Sequence, residues 1–480
     1  MKTESFSAIA ARLSERVQRS DEYLEQLQSE VKGSVILRHD AGYERARRGW
    51  NLTIDQRPAL IVAAADAADV AAAVRYARHT GLGIAVQSTG HGVARAADDA
   101  LLILTTALTD IRIDAATQTA WLGAGAQWGM VLEAAQRHGL APLLGSSPNV
   151  GVVGYTLGGG MGWLARKHGL ALDSVLAFEV VTADGRALRV SERENAELFW
   201  GMRGGSGSLA IVTAMQIRLY PVTTVYGGNL FYPADMAKEV FARYRDWVTT
   251  PPDEMTSSVV LMNFPPVPAV PEPLRGRSMV MVRGCYAGPV EEGQRLVDTW
   301  RAWRTPAIDM WAAMPFTQVA TISNDPVDPM PAKSTGAWLA SLSDATIDAL
   351  VAGTLPQQGP PILTFTELRH AGGAIAKAGA HGAAFSHRDG LFNMVSIGVT
   401  PTPDALAAFA AHTAALRVAI APDLHGGAYL NFLDGEEMRQ RTREAFSAEH
   451  FARLTALKAA VDPHNRLAYS IDLRPELVAV

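Results

Sequence analysis

The sequence predicts an α+β fold in two to three domains, and three observations carry that prediction. The 480 residues are 48% hydrophobic and 19% charged, the make-up of a well-packed globular protein. Strand and helix signals alternate through the first third of the chain. Prolines then crowd one segment (Pro251, Pro252, Pro265, Pro266, Pro268, Pro271 and Pro273) after a composition shift near Val222, which marks a domain boundary.

From the amino terminus, Met1 to Gln28 lacks the continuous apolar stretch of a signal peptide. Ile9, Leu13 and Val17 fit a helical stripe, so a docking helix and a cytoplasmic location are expected. Ala59 to Val62 is a short buried strand. Asp66 caps a helix that turns Val70, Ala73, Val74 and Ala77 inward and stops at Gly81. Ile84 to Val86, Leu101 to Leu104 and Thr119 to Leu122 are further strands. Gln127 to His138 is a helix with Met130, Ala134 and Ala135 inward and Gly139 as its stop. Val175 to Thr182 is a strand, Asp184-Gly185 a hairpin turn, and Leu209 to Tyr220 a long strand closed by Pro221. From Tyr226 to about His425, alternating apolar runs (Ser278 to Gly284, Leu391 to Val399) and amphipathic helices suit a sheet with helices on one face. Gly427 to Phe432 reads as a strand with Tyr429 and Asn431 on one face.

Composition removes several function classes. The net charge of -5 lacks the basic excess of a nucleic-acid binder. A single cysteine, Cys285, excludes a disulfide framework and any all-cysteine metal site. No apolar run reaches the ~20 residues that span a bilayer. The serine-hydrolase, P-loop and zinc-protease motifs are missing, and the 12 histidines do not cluster at metal-ligand spacing, so no metal is expected.

Two stretches point to chemistry. Ser88-Thr89-Gly90-His91-Gly92 follows a strand, where small residues expose backbone N–H groups to an anion. The other is Gly145 to Gly162, with seven glycines in eighteen residues (Gly145, Gly151, Gly154, Gly158, Gly159, Gly160 and Gly162), a density that suits close approach to an extended ligand such as a dinucleotide. Gly123-Ala124-Gly125 resembles a Rossmann turn, but Trp128 stands where the third glycine belongs, so an ordinary strand-to-helix turn is expected.

Taken together, the motifs resemble the FAD-linked oxidases of the berberine bridge enzyme group, within the vanillyl-alcohol-oxidase-type flavoproteins. The resemblance runs from about Gly42 to Asn465. It rests on the Ser88 to Gly92 loop, Pro148 to Gly162, Leu198 to Gly205 followed by Ile211-Val212-Thr213, Phe385-Ser386-His387-Arg388, Tyr429 to Phe432, and Leu457-Lys458 through Asp462 to Asn465. It implies a two-subdomain PCMH-type FAD-binding domain (1–222), an inserted substrate domain with an antiparallel sheet covered by helices (223–425), and a segment returning to the FAD domain (426–480).

The resemblance also implies residue roles. FAD would contact Ser88, Thr89, Gly90, His91, Gly92, Ser147, Val150, Gly151, Gly154, Thr156, Gly159, Gly160, Gly162, Ile211, Val212, Tyr429 and Asn431. His91 would be its covalent anchor, while Ser147 stands where doubly linked relatives carry a cysteine. Counting along the strand after the Phe385 motif reaches Ser396 and no acid, so Tyr429 becomes the candidate base. Val150 would line the oxygen side of the flavin. The implied activity is an oxidase that takes a hydride from a C–OH or C–N centre of a small molecule and reduces O2 to H2O2. A dehydrogenase with another acceptor and a non-redox cyclase remain the alternatives; no nucleic-acid or membrane partner is expected, and the oligomeric state is open.

Overall fold

The computed structural model describes residues 21–379 and 382–474. The expected stripe Ile9, Leu13 and Val17 lies outside them. The first sheet holds β1 (Ser34–Leu37), β2 (Leu60–Ala63), β3 (Ile84–Gln87) and β4 (Leu101–Leu104) in the order β1-β2-β4-β3. β4 runs parallel to both β2 and β3, while β1 pairs antiparallel to β2. Parallel neighbours need a crossover, and the helix Ala67–Thr80 supplies it. The Asp66 carboxylate accepts hydrogen bonds from Ala68 N (2.8 Å) and Asp69 N (3.1 Å). Gly81 ends the helix at φ +76°, and Val70, Ala73, Val74 and Ala77 are wholly buried, as the pattern predicts. Burying each valine contributes about 1.5–3 kcal/mol.

The second sheet is β5 (Ile111–Asp114), β6 (Thr119–Gly123), β7 (Val175–Val181), β8 (Ala187–Ser191) and β9 (Ile211–Arg218), ordered β5-β6-β9-β7-β8. Gly185 takes φ +87° in the β7–β8 hairpin, matching the expected turn. Against this sheet lies the helix Trp128–Gln136. Its buried residues are Trp128, Val131, Leu132 and Ala135, and Met130 is on the surface. Ala135 is inward as expected, while Met130 and Ala134 are corrected: Gln127 is the cap, and the i, i+3, i+4, i+7 stripe therefore starts at Trp128.

The third sheet contains β10 (Thr224–Pro233), β11 (Met255–Asn263), β12 (Ser278–Tyr286), β13 (Ile308–Asp309), β14 (Ala312–Pro315), β15 (Ala332–Leu339), β16 (Phe365–His370) and β17 (Phe392–Val399). Its order is β13-β10-β12-β11-β16-β17-β15, with β14 beside β10 and every pairing antiparallel. Alternation gives it two unlike faces. Val259, Leu261, Val282, Leu368 and Met394 join the core under the helices Ala237–Trp247, Val290–Trp303, Asp344–Thr354 and Pro403–Ala419. On the strands β11, β12 and β16 the opposite face carries Thr256, Ser258, Arg283, Glu367 and Arg369.

The carboxy-terminal segment returns to the first layers. Lys458, buried in the helix Ala448–Val461, donates to the Ser208 carbonyl (2.8 Å) and pairs with Asp462 (2.6 Å). Residues Leu430–Phe432 form a single 3₁₀ turn in place of the expected strand. The turn is closed by Phe432 N donating to the Tyr429 carbonyl (3.0 Å).

Candidate active site

The loop after β3 is held from one side by the segment around Trp50. Trp50 N donates to Thr89 O (2.9 Å) and Asn51 N to Gly90 O (3.1 Å). The buried Gln87 amide accepts from Gln56 Nε2 (2.8 Å) and donates to the Arg48 carbonyl (3.1 Å). Gly90 has φ +74°, and a Cβ there would strike the Gly49 backbone, so only glycine fits.

His91 stacks on Trp50 with ring centroids 4.6 Å apart and planes 13° from parallel. Its Nδ1 lies 2.8 Å from the Thr89 hydroxyl. Burial pulls the imidazole pKa down to about 4, so the ring is neutral at pH 7. His91 Nε2 and Ser88 Oγ are buried without a partner among the described residues.

The second loop faces the first. A Cβ on Gly151 would stand 3.1 Å from Ser88 Oγ. Ser147 Oγ donates to Asn149 Oδ1 (2.6 Å), and the Val150 carbonyl accepts from Trp128 N (3.1 Å). Gly92 and Gly154 have open space where a side chain would project, with nothing within 4 Å. Unmet polar atoms beside open glycines are what a buried, polar cofactor requires, and these residues fit FAD. A strap from the third sheet crosses both loops. The Val327 carbonyl accepts from Trp50 Nε1 (3.0 Å) and Asn149 Nδ2 (2.6 Å). Asn51 and Met330 form a backbone bridge beside it.

The rest of the glycine track, including Gly159, Gly160 and Gly162, is pressed closely by the protein's own atoms. A Cβ on Gly158 would collide with the Asn431 amide and one on Gly162 with the Leu144 carbonyl. Gly159 (φ +127°) is pressed by Phe385 and Tyr429, and Gly160 (φ +83°) by Ala171 and Tyr155. Thr156 spends its hydroxyl on the Val152 carbonyl (2.7 Å). Ile211 and Val212 lie inside β9 with their side chains in two different hydrophobic cores, so neither side chain is free to meet a cofactor.

Tyr429 and Asn431 lock that track. The Tyr429 hydroxyl oxygen accepts from Gly160 N (3.0 Å), Met161 N (3.0 Å) and Asn431 Nδ2 (3.2 Å). Asn431 Nδ2 also donates to the Tyr155 carbonyl (2.9 Å). Burial raises the Tyr429 pKa, and the hydrogen bonds and Arg369 offset only part of the rise. The phenol is therefore neutral at pH 7, and three donors fix its oxygen against the glycine track.

Sequence reasoning missed three residues on the polar face of the third sheet. Glu367 is fully buried and accepts from Arg283 Nη2 (2.7 Å) and Nε (3.1 Å), and from Arg369 Nε (3.0 Å). Burial alone would raise its pKa, but the two guanidiniums hold it at about 2. Ser396 points the other way and bonds Thr366 (3.0 Å) on the helix-covered side, so the acid lies one strand over, on β16. The signal was present. Glu367 and Arg369 alternate within Phe365–His370, and Arg283 interrupts the apolar run Ser278–Tyr286. A charge inside a buried strand requires a buried partner.

Comparison with known proteins agrees with this geometry. A family model described as "FAD binding domain" matches residues 58–191, and one described as "Berberine and berberine like" matches residues 428–470. (R)-6-hydroxynicotine oxidase of Paenarthrobacter nicotinovorans is 27% identical over 471 residues, covering 93% of this chain and 97% of the relative. The solved structure of 6-hydroxy-D-nicotine oxidase from Arthrobacter nicotinovorans superposes with a TM-score of 0.81 at 25% identity, covering 93% of this chain and 98% of that one. A BBE-like protein of Physcomitrella patens shares the fold, with a TM-score of 0.81 at 22% identity and coverage of 94% and 100%.

Proposed function

Because the chain is an FAD-dependent oxidoreductase of the berberine-like group, we propose that it is an oxidase acting on a C–OH or C–N centre of a small molecule, with O2 as acceptor and H2O2 as product. The bound flavin supplies the hydride acceptor. The observation that carries the reading is the pair of facing loops, where Ser88 Oγ and His91 Nε2 are buried with no partner opposite Gly151. Ser88 to Gly92 and Ser147 to Gly154 hold the cofactor. His91 is its covalent anchor: a neutral ring with Nδ1 engaged by Thr89 leaves Nε2 free to form a bond. Ser147 has no thiol, so a single link is expected.

Tyr429 and Asn431 keep the glycine track in place, and the polar face of the third sheet (in a substrate domain of residues 223–425) forms the opposite wall. Val150, small and branched, supports oxygen as acceptor because a leucine in its place would fill the space beside the cofactor. The likeness to a hydroxynicotine oxidase brings amines within the candidate substrates.

The test needs no substrate. The loaded enzyme is photoreduced without oxygen and mixed with air-saturated buffer. Reoxidation within seconds with stoichiometric peroxide is expected. Reoxidation over many minutes, with rapid reoxidation by a quinone, would defeat the proposal in favour of a dehydrogenase.

A further inference from the structure

The polar face of the third sheet is more specific than a wall. Arg283, Ser258, Arg369 and Asn393 occupy one cross-strand row over β12, β11, β16 and β17. Glu367 is the only carboxylate directly paired with Arg283 or Arg369 among the described residues, and it serves both. Asp325 acts on Arg369 from a distance and forms no ion pair with it.

Arg369 reaches out of this row. Its guanidinium lies over the Phe432 ring (4.9 Å) and donates to the Met161 carbonyl (3.3 Å). It lines a small cavity together with Met161, Trp163 and Thr256, directly beneath the glycine track. Trp163 is 6% exposed, and its indole N–H is buried without a partner among the described residues. The Arg283 guanidinium covers the ring of the same tryptophan (5.8 Å). The Thr256 hydroxyl accepts from Arg166 N (3.3 Å) and keeps its own proton to give. Ser146, Gly162 and Ser257 complete its lining, which holds one guanidinium and no carboxylate side chain. The cavity therefore faces a cation and hydroxyl and indole donors, with no anion among its lining residues. A buried unmet donor has a cost that only an acceptor removes.

We propose that this cavity takes the carboxylate of an organic acid substrate, with Arg369 as its ionic partner and Trp163 Nε1 as a second donor. The inference rests on the oxidase reading and names the substrate class for that site. Arg369 is suited to the task because its planar fork matches a carboxylate, and because Glu367 also has two hydrogen bonds from Arg283 and does not depend on Arg369 alone.

Flavin-loaded protein is titrated with benzoate and acetate, and with benzamide and acetamide as neutral matches, at fixed ionic strength. Binding is read from the flavin absorbance change and by calorimetry. At least one carboxylate is expected to bind more tightly than its amide. Arg369→Gln should weaken that carboxylate by roughly 30-fold or more, the loss expected when one partner of a buried charge pair is removed. Trp163→Phe, which keeps the ring and deletes the donor, should weaken it by roughly 3- to 10-fold. Equal binding of acid and amide, no binding of either carboxylate, or an unchanged preference in Arg369→Gln overturns the proposal. No turnover is involved, so these results stand apart from the oxygen test. A slow oxygen reaction with an intact carboxylate preference would refute only the oxidase reading.

Discussion

The two walls of the site are made from different materials. The cofactor side is built of backbone. Gly90 folds over Gly49, Gly151 lies against Ser88, and its one titratable ring, His91, is kept neutral by burial. The facing sheet is built of charged side chains, with Arg283 and Arg369 sharing Glu367 at zero exposure. A backbone cradle keeps its shape under most substitutions except at the glycines themselves. A side-chain wall can be rewritten one residue at a time without disturbing its strands. The invariant ligand thus sits on the wall that is hard to change, and the variable one on the wall that is easy to change.

The largest effect should come from breaking the backbone wall. Gly159→Val places a branched side chain at φ +127° between Phe385 and Tyr429. It should cost about 3 kcal/mol or more, seen as a lower urea midpoint together with loss of bound flavin. Gly154→Val meets open space, so it should shift the midpoint by less than about 1 kcal/mol while still impairing flavin retention. If both variants lost stability equally, the division of the glycine track into packing and cofactor parts would be wrong.

The charged wall should respond almost as strongly. Arg283→Met leaves Glu367 buried with one partner and should cost about 3 kcal/mol. The two walls should also separate by pH. Glu367 titrates near 4.5 unfolded and at about 2 folded, so its contribution, on the order of 3 kcal/mol, is present above pH 4.5 and fades as pH falls toward 2. His91 falls from 6.5 to about 4, so in flavin-free protein its contribution fades earlier, as pH drops from 6.5 toward 4. Acid unfolding of flavin-free His91→Asn should shrink the upper window, to which the buried His168 and His370 also contribute, and keep the lower one. An unchanged profile would show that the ring is not buried as described.

Attachment gives a smaller, all-or-none readout. Flavin should stay with acid-precipitated wild-type protein and be released from His91→Ala, whose stability should change by less than about 1 kcal/mol. A wild-type pellet without flavin would remove the anchor. The mildest change is Val150→Leu, which should slow the reaction of reduced enzyme with oxygen and leave its reduction by substrate unchanged, as followed by stopped-flow absorbance.

The cofactor wall was legible because its information is local. The Ser88 to Gly92 loop and the glycine spacing lie within single stretches of chain, and the Asp66 cap and Gly81 stop announce the crossover helix. The charged wall was not. Arg283, Ser258 and Arg369 meet only through the registers of β12, β11 and β16, and register is a property of the folded sheet. Counting along one strand therefore reached Ser396, while the acid lay on its neighbour. Tyr429 shows a third limit. The Tyr-x-Asn spacing singles out two residues that do meet, but the 3₁₀ turn and the three donors on the hydroxyl come from the fold and not from the spacing.

The Val327 carbonyl bears on how the holoenzyme comes into being. Its contacts with Trp50 and Asn149 join parts of the chain 277 and 178 residues apart, so they cannot form until Val327 has been synthesised. On the proposed reading, the cofactor lies against His91, and the strap is laid across both loops that would hold it. Loading is then a race between cofactor capture and closure, and the yield of active enzyme follows the flavin concentration while the chain is being made. Flavin present during refolding should fill more sites than the same amount added afterwards; equal filling would mean that the strap opens freely.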